Sequence, residues 1–119
     1  MLVNFEKYTQ QLNKDELQLV SIVIKGLSQR VGKDNAISST VICQKLSLQG
    51  VRLRKIINYI RTKNLLIGLC SCGTGYYIAK NRYEFEQYLY SLGQRIEAQQ
   101  FVYKTLEQQL NILYEKTNA

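Results

Sequence analysis

Proline and histidine are both absent from the 119 residues, and each absence narrows what the chain can be. A chain without proline suits a mostly helical fold with few irregular loops. Without histidine it lacks the usual base that activates a nucleophile. The sequence also has no glycine-rich phosphate loop and no paired carboxylates, because Asp15 and Glu16 are adjacent and point in different directions on a helix. We therefore expect no enzymatic activity, no cofactor and no small-molecule substrate.

Metal sites and membrane spans also find little support. Cys43, Cys70 and Cys72 are too few for a disulfide framework, and a structural zinc site usually needs four Cys or His ligands. We expect buried or half-buried thiols and no metal; a soft metal held by the three cysteines is the alternative. No apolar run approaches the ~18–20 residues of a membrane span, and residues 1–12 lack an apolar signal core. A cytoplasmic protein that does not enter membranes is predicted.

What the sequence does have is positive charge in one place. Residues 35–83 contain no Asp or Glu and carry a net charge of +8, whereas the remainder of the chain sums to −1. The eight bases are Lys45, Arg52, Arg54, Lys55, Arg61, Lys63, Lys80 and Arg82. A stretch whose charges are all positive attracts polyanions, although a solvated basic face without a partner is the simpler alternative.

Helical periodicity organises the first two thirds of the chain. Asn13 and Glu16 have the spacing of a capping box, followed by apolar residues at helical intervals over residues 14–30. After a turn at residues 31–35 and a very short strand at 36–37, Ser38 or Ser39 caps a short helix whose inward face includes Val41. Residues 47–50 break that helix, and Gly50 is expected to supply the unusual backbone angles.

A second helix is predicted over residues 51–63, with a basic outer face and an apolar side lined by Val51, Leu53, Ile56, Ile57 and Ile60. It should stop near Lys63 and Asn64. Two apolar runs, 65–70 and 76–79, then flank a glycine-containing tip at residues 71–75, which is typical of a β-hairpin.

From Arg82 to about Lys116 the apolar positions recur in alternating steps of four and three, which is typical of a coiled-coil seam. The predicted dimerisation residues are Phe85, Leu89, Leu92, Ile96, Gln99, Tyr103, Leu106, Leu110 and Leu113. The polar Gln99 is the kind of residue that fixes register at some cost in stability. Packing of the first half of this helix on residues 14–30 of the same chain is the alternative to self-association.

Together these elements resemble the winged helix-turn-helix superfamily of DNA-binding domains. The matching residues run from Ser38 to Ala79 and include the serine cap, the 47–50 turn, the basic helix and the hairpin. The phrase Gly75-Tyr76-Tyr77-Ile78-Ala79, followed by a helix with acidic residues near its start, is similar to small regulators and replication proteins of phages and other mobile elements. The expected fold is mainly α (α+β), with an N-terminal arm at 1–13, a winged helix at 14–81 and a C-terminal dimerisation helix at 82–119.

The resemblance implies that the helix 51–63 enters the major groove of double-stranded DNA. Gln49, Arg52, Lys55 and then Asn58 are the candidate base readers. The candidate phosphate contacts are Lys45, Arg54, Arg61 and Lys63. Ser39 at the start of the short helix and Thr74 at the hairpin tip are further candidate DNA contacts. The tip has no Arg or Lys, so deep insertion into the minor groove is not expected.

The predicted function is sequence-specific DNA binding by a homodimeric transcriptional regulator. The alternatives are a replication or partition accessory protein of a phage or plasmid, and a winged helix that binds another protein. The acid-free basic helix favours DNA over a protein partner, and an A-form RNA groove is too narrow for such a helix.

Overall fold

The computed structural model describes residues 10–114, which are mainly helical with a small antiparallel sheet. The helices are α1 (Lys14–Ser28), α2 (Ser39–Leu46), α3 (Gly50–Thr62) and α4 (Arg82–Tyr114), and the strands are β1 (Leu69–Cys72) and β2 (Gly75–Ile78). The mainly helical α+β class is thereby confirmed. Most of the predicted N-terminal arm, residues 1–9, lies outside the described residues, as does the part of the predicted C-terminal helix beyond 114.

The start of α1 is fixed by the predicted capping box. The Asn13 side chain accepts a hydrogen bond from the Glu16 N–H at 2.8 Å, and the Asn13 N–H donates to Glu16 Oε1 at 2.9 Å. The buried stripe of this helix begins at that glutamate and continues through Val20, Val23 and Leu27. Leu17, one of the apolar residues at helical intervals that the sequence predicts on the inward stripe, is 48% exposed, whereas Glu16 beside it is buried.

The segment between α2 and α3 differs from the prediction in one backbone detail. Ser38 caps α2 by accepting from the Val41 N–H at 3.2 Å. Ser47, not Gly50, takes the left-handed conformation that ends α2, with φ 52° and ψ 47°. Gly50 is instead the first residue of α3, behind an extended Gln49. At the other end, Asn64 has φ 57° and stops α3 where the sequence predicted.

The hairpin pairs Leu69 with Ile78 and Cys72 with Gly75, so the tip is the two-residue Gly73-Thr74. The predicted strand over 65–70 begins only at Leu69, because Asn64 and Gly68 both have positive φ and turn the chain first. The predicted short strand at 36–37 is a single antiparallel bridge, in which the Ile37 N–H donates to the Tyr76 carbonyl at 3.0 Å and the Tyr76 N–H donates back at 2.9 Å.

The hydrophobic core lies around α3. Leu53, Ile56, Ile57 and Ile60 are almost wholly excluded from solvent and pack with residues of α1, α2 and β1. Val51, which was predicted on this apolar side, is 59% exposed. Val41 was likewise predicted to face inward from α2 and is exposed, whereas its neighbour Ile42 is buried. The predictions were wrong for both valines because each lies one helical position away from the buried face.

The described residues divide into two compact units, one up to Phe85 and one from Glu86 onward, and the division falls inside α4. At the start of this helix the Asn81 side chain accepts a hydrogen bond from the Glu84 N–H at 2.9 Å. Gly93 does not interrupt the helix, which runs for 33 residues. In the part of the chain that the structure describes, no helix has the length and apolar character of a membrane span.

Candidate nucleic-acid interface

The solvent-facing side of α3 is defined by the four buried residues on its opposite side. Val51, Arg54 and Asn58 follow one another at steps of three and four, so they share one face of the helix. Val51 and Arg54 are exposed and Asn58 is half-buried. The face therefore presents a branched apolar group, a guanidinium and a carboxamide in a single row.

Arg52 and Lys55, the first candidates for base readers, have a partner inside the protein. Arg52 Nε lies 3.1 Å from Glu16 Oε2, and Lys55 Nζ lies 3.1 Å from Glu16 Oε1. The Glu16 side chain is 1% exposed, while those of Arg52 and Lys55 are 38% and 30% exposed. These two cations of α3 are thus directed to α1, and the structure gives them a role in joining these helices that the sequence interpretation did not include.

Glu16 is held in its ionised form by its surroundings. The hydrogen bond from the Asn13 backbone N–H, the bond from Lys55 and the bond from Arg52 together outweigh burial and lower the pKa of Glu16 to about 2. A carboxylate at the first buried position of α1 is therefore a permanent negative charge beside α3 at neutral pH.

The cations at the end of α3 also contact their own domain. Arg61 Nε donates to the Leu69 carbonyl at 3.1 Å, which ties the last turn of α3 to the start of β1. Lys63 Nζ lies 5.9 Å from the centre of the Tyr59 ring, within the range of a cation–π contact. Arg61 thus orients the hairpin relative to α3, in addition to carrying one of the positive charges predicted to meet phosphate.

The exposed polar residues of α2 border the beginning of α3. Ser39, Lys45 and Gln49 from the predicted set are all exposed. A shallow groove between the two helices is lined by Ser39, Thr40, Cys43, Gln44, Leu48 and Gly50. The sequence interpretation did not include Thr40 and Gln44. Both are polar and lie four positions apart on the helix capped by Ser38, so helical spacing predicts that they share one face.

The hairpin brings little charge to this surface. Thr74 at the tip is exposed, and its hydroxyl lies 3.0 Å from Cys72 Sγ. Cys70 is buried, and its desolvation raises the pKa of the thiol. Within residues 10–114, no three Cys, Asp or Glu side chains come together as a metal ion would require.

A second carboxylate organises the end of the hairpin. Glu84 accepts hydrogen bonds from the Lys80 N–H at 3.0 Å and from the Lys33 N–H at 3.2 Å. Burial opposes the charge, but these two bonds prevail and lower the pKa of Glu84. This carboxylate accepts backbone N–H groups, whereas Glu16 also binds two cationic side chains of α3.

In the single chain, the predicted seam of α4 has large apolar side chains that are exposed to solvent. Six of its nine members have at least half of their surface exposed: Leu89 (50%), Ile96 (54%), Tyr103 (66%), Leu106 (56%), Leu110 (55%) and Leu113 (62%). Phe85 and Leu92 are half-buried, and Gln99 is exposed. Leu92, Ile96, Gln99 and Tyr103 border one shallow groove along the helix.

Comparison of this chain with protein-family models, with curated proteins and with solved structures yields no significant match.

Proposed function

We propose that this chain binds double-stranded DNA in a sequence-dependent manner, with α3 in the major groove. Two features support a winged helix-turn-helix architecture for the first unit. One is the order of a long helix, two short helices and a hairpin; the other is the additional bridge between Ile37 and β2, which places the hairpin beside the start of α2. A helix of this size fits the major groove, where each base pair has its own pattern of donors and acceptors.

The observation that carries the proposal is the row Val51, Arg54 and Asn58 on the outward face of α3, inside a stretch of 49 residues without an acid. Arginine makes paired hydrogen bonds to guanine, asparagine makes them to adenine, and an apolar side chain contacts the thymine methyl group. The row thus combines three chemistries that distinguish bases. Gln49, exposed just before α3, extends it toward the groove next to α2.

Phosphate contacts belong to the surrounding cations and hydroxyls, which position the protein without reading sequence. Lys45 and Ser39 are exposed on α2, and Lys80 is exposed after the hairpin. Lys63 and Arg61 add charge at the end of α3, and Thr74 offers a hydroxyl at the hairpin tip. Arg52 and Lys55, predicted as base readers, are left out of the proposed base contacts because each has an ion pair to Glu16. Arg54, predicted as a phosphate contact, takes their place because it is exposed on the outward face of α3.

We further propose that α4 joins two copies into a homodimer. The exposed apolar seam over four heptads is the surface that a second copy would cover. A two-fold dimer places two α3 helices on half-sites of a pseudo-palindrome. Transcriptional regulation in the cytoplasm is the role we propose, and organisation of a replication or partition site of a mobile element is the alternative use of the same binding.

The test is a binding series on a duplex obtained by selection from random DNA. Arg54→Ala and Asn58→Ala should each weaken binding by about 1–3 kcal/mol and relax the preference at a different base pair. Lys25→Ala is the matched control, since it removes an exposed cation from α1, and it should change the affinity less than about twofold. Failure to enrich any sequence, with a protein partner captured through α4 instead, would favour a protein-interaction module.

A further inference from the structure

α3 contains more cationic side chains than it can offer to DNA, because Glu16 binds two of them. This carboxylate uses both oxygens on three donors: Oε2 accepts from Arg52 Nε, and Oε1 accepts from Lys55 Nζ and from the Asn13 N–H. It is buried at the first inward position of α1. Two of the five basic residues at positions 52–63 are therefore committed to one acid from another helix.

The ion pairs are hard to exchange for phosphate. A lysine ammonium that moves from Glu16 to DNA leaves behind a buried carboxylate with less compensation, and such a carboxylate is strongly unfavourable. The same applies to Arg52, whose Nε edge would have to leave Glu16 Oε2. Yet both side chains are about one third exposed, so their charged ends lie near the protein surface and would be available if the carboxylate were neutral.

We propose, on the basis of the DNA-binding function above, that Glu16 is a specificity-determining residue that withholds Arg52 and Lys55 from the DNA backbone. Binding to random sequence depends almost entirely on neutralising phosphates, whereas contacts to base edges discriminate. Removing two cations from the backbone-binding set lowers affinity most for random sequence, because that binding has no base contacts that hold the protein in one position on the duplex. The base-facing row Val51, Arg54 and Asn58 then accounts for a larger share of the binding free energy.

The expected size follows from counter-ion release. Each phosphate neutralised contributes about −0.9 to the slope of log K against log salt concentration, so release of two cations should steepen the slope by up to about 1.8. At low salt this corresponds to a gain of roughly tenfold or more in affinity for random-sequence duplex. The ratio of specific to non-specific affinity should fall.

The experiment compares Glu16→Gln with Glu84→Gln in salt titrations on a selected duplex and on a scrambled one. Glutamine keeps the acceptor that the capping box needs, so Asn13 retains its partner. Glu84→Gln changes the net charge equally, but its carboxylate accepts the backbone N–H groups of Lys33 and Lys80 and not the side chains of Arg52 and Lys55. We expect Glu16→Gln to tighten scrambled-duplex binding and steepen its slope, and Glu84→Gln to do neither beyond about twofold.

Lys55→Gln completes the design as a double-mutant cycle. In the wild-type background it should change affinity less than about twofold, and in the Glu16→Gln background it should remove about 0.9 of the added slope. Equal effects of Glu16→Gln and Glu84→Gln, or weaker binding by Glu16→Gln, would overturn the proposal while leaving DNA binding intact. If circular dichroism shows that Glu16→Gln does not fold, the affinity of the single variant Lys55→Gln is the test. A loss of DNA affinity beyond about fivefold relative to the wild type would overturn the proposal. Absence of any salt-dependent binding by the wild type refutes the proposed function itself.

Discussion

Replacing Gly75 by alanine should unfold the junction between the hairpin and the segment that leads into α2. Gly75 has φ 137°, a backbone conformation that residues other than glycine rarely adopt. A Cβ atom there would overlap the backbone carbonyl of Ile37 and lie 2.7 Å from the Ser38 Cα atom. Since these neighbours are backbone, relief requires β2 to move away from residues 37–38.

The magnitude has two parts. The strained backbone conformation costs about 1–3 kcal/mol for a residue with a side chain. Separation of the strands breaks the reciprocal bonds between Ile37 and Tyr76, 2.9 and 3.0 Å long, each contributing about 0.5–1.5 kcal/mol. The expected loss is therefore about 2–6 kcal/mol of unfolding free energy, a large share of the ~5–15 kcal/mol that stabilises a typical protein.

Urea unfolding followed by circular dichroism at 222 nm measures this loss, with two other glycines as controls. Gly68 also has a positive φ, but the nearest atom to its Cβ is 3.8 Å away, so Gly68→Ala should cost only the conformational part, about 1–3 kcal/mol. Gly26 lies within α1 with open space around its Cβ, and Gly26→Ala should stabilise by about 0.5–1 kcal/mol. A Gly75→Ala protein within about 0.5 kcal/mol of the wild type would refute the described junction.

Three further predictions concern charge, capping and assembly. The pKa of Glu16 is lowered to about 2, so its contribution to stability is complete above its ordinary pKa of 4.5 and is lost as pH falls toward 2. The urea midpoint of the wild type should therefore drop across this pH window, and that of Glu16→Gln should drop less. An unchanged midpoint at pH 3 would contradict the ion pairs. Ser38→Ala should cost about 0.5–2 kcal/mol through the lost cap of α2, measured by thermal unfolding, while Ser39→Ala, one position on, should cost less. If α4 pairs two copies, light scattering should give twice the chain mass of 13.8 kDa, and Leu110→Lys should shift it toward one copy while the off-seam Asn111→Lys should not.

Local signals predicted most elements correctly because their causes are local. The capping box at Asn13, the serine cap at Ser38 and the stop at Asn64 are each decided within a few residues, and the structure has all three. The left-handed position at Ser47 was missed because glycine is the usual choice there and Gly50 stood nearby. β1 starts late for a similar reason, since an apolar composition over 65–70 does not reveal the turns at Asn64 and Gly68.

The candidate site was predictable in charge but not in geometry. The acid-free stretch is a property of the sequence, and the structure places Arg54 and Asn58 together on the outward face of α3. The pairing of Glu16 with Arg52 and Lys55 joins residues 36 and 39 positions apart, so it depends on how α1 and α3 pack. A glutamate at a capping position already has a local function, so its ion pairs with Arg52 and Lys55 were not predicted.

The most direct measurement of the DNA-binding account is the affinity for a selected duplex and for a scrambled one, titrated against salt, in wild type and in Arg54→Ala. The account predicts a steep negative slope of log K against log salt for both duplexes, tighter binding to the selected one, and a loss of that preference in Arg54→Ala but not in Lys25→Ala. A slope near zero, or a sequence preference that Arg54→Ala leaves unchanged, would contradict recognition by the outward face of α3.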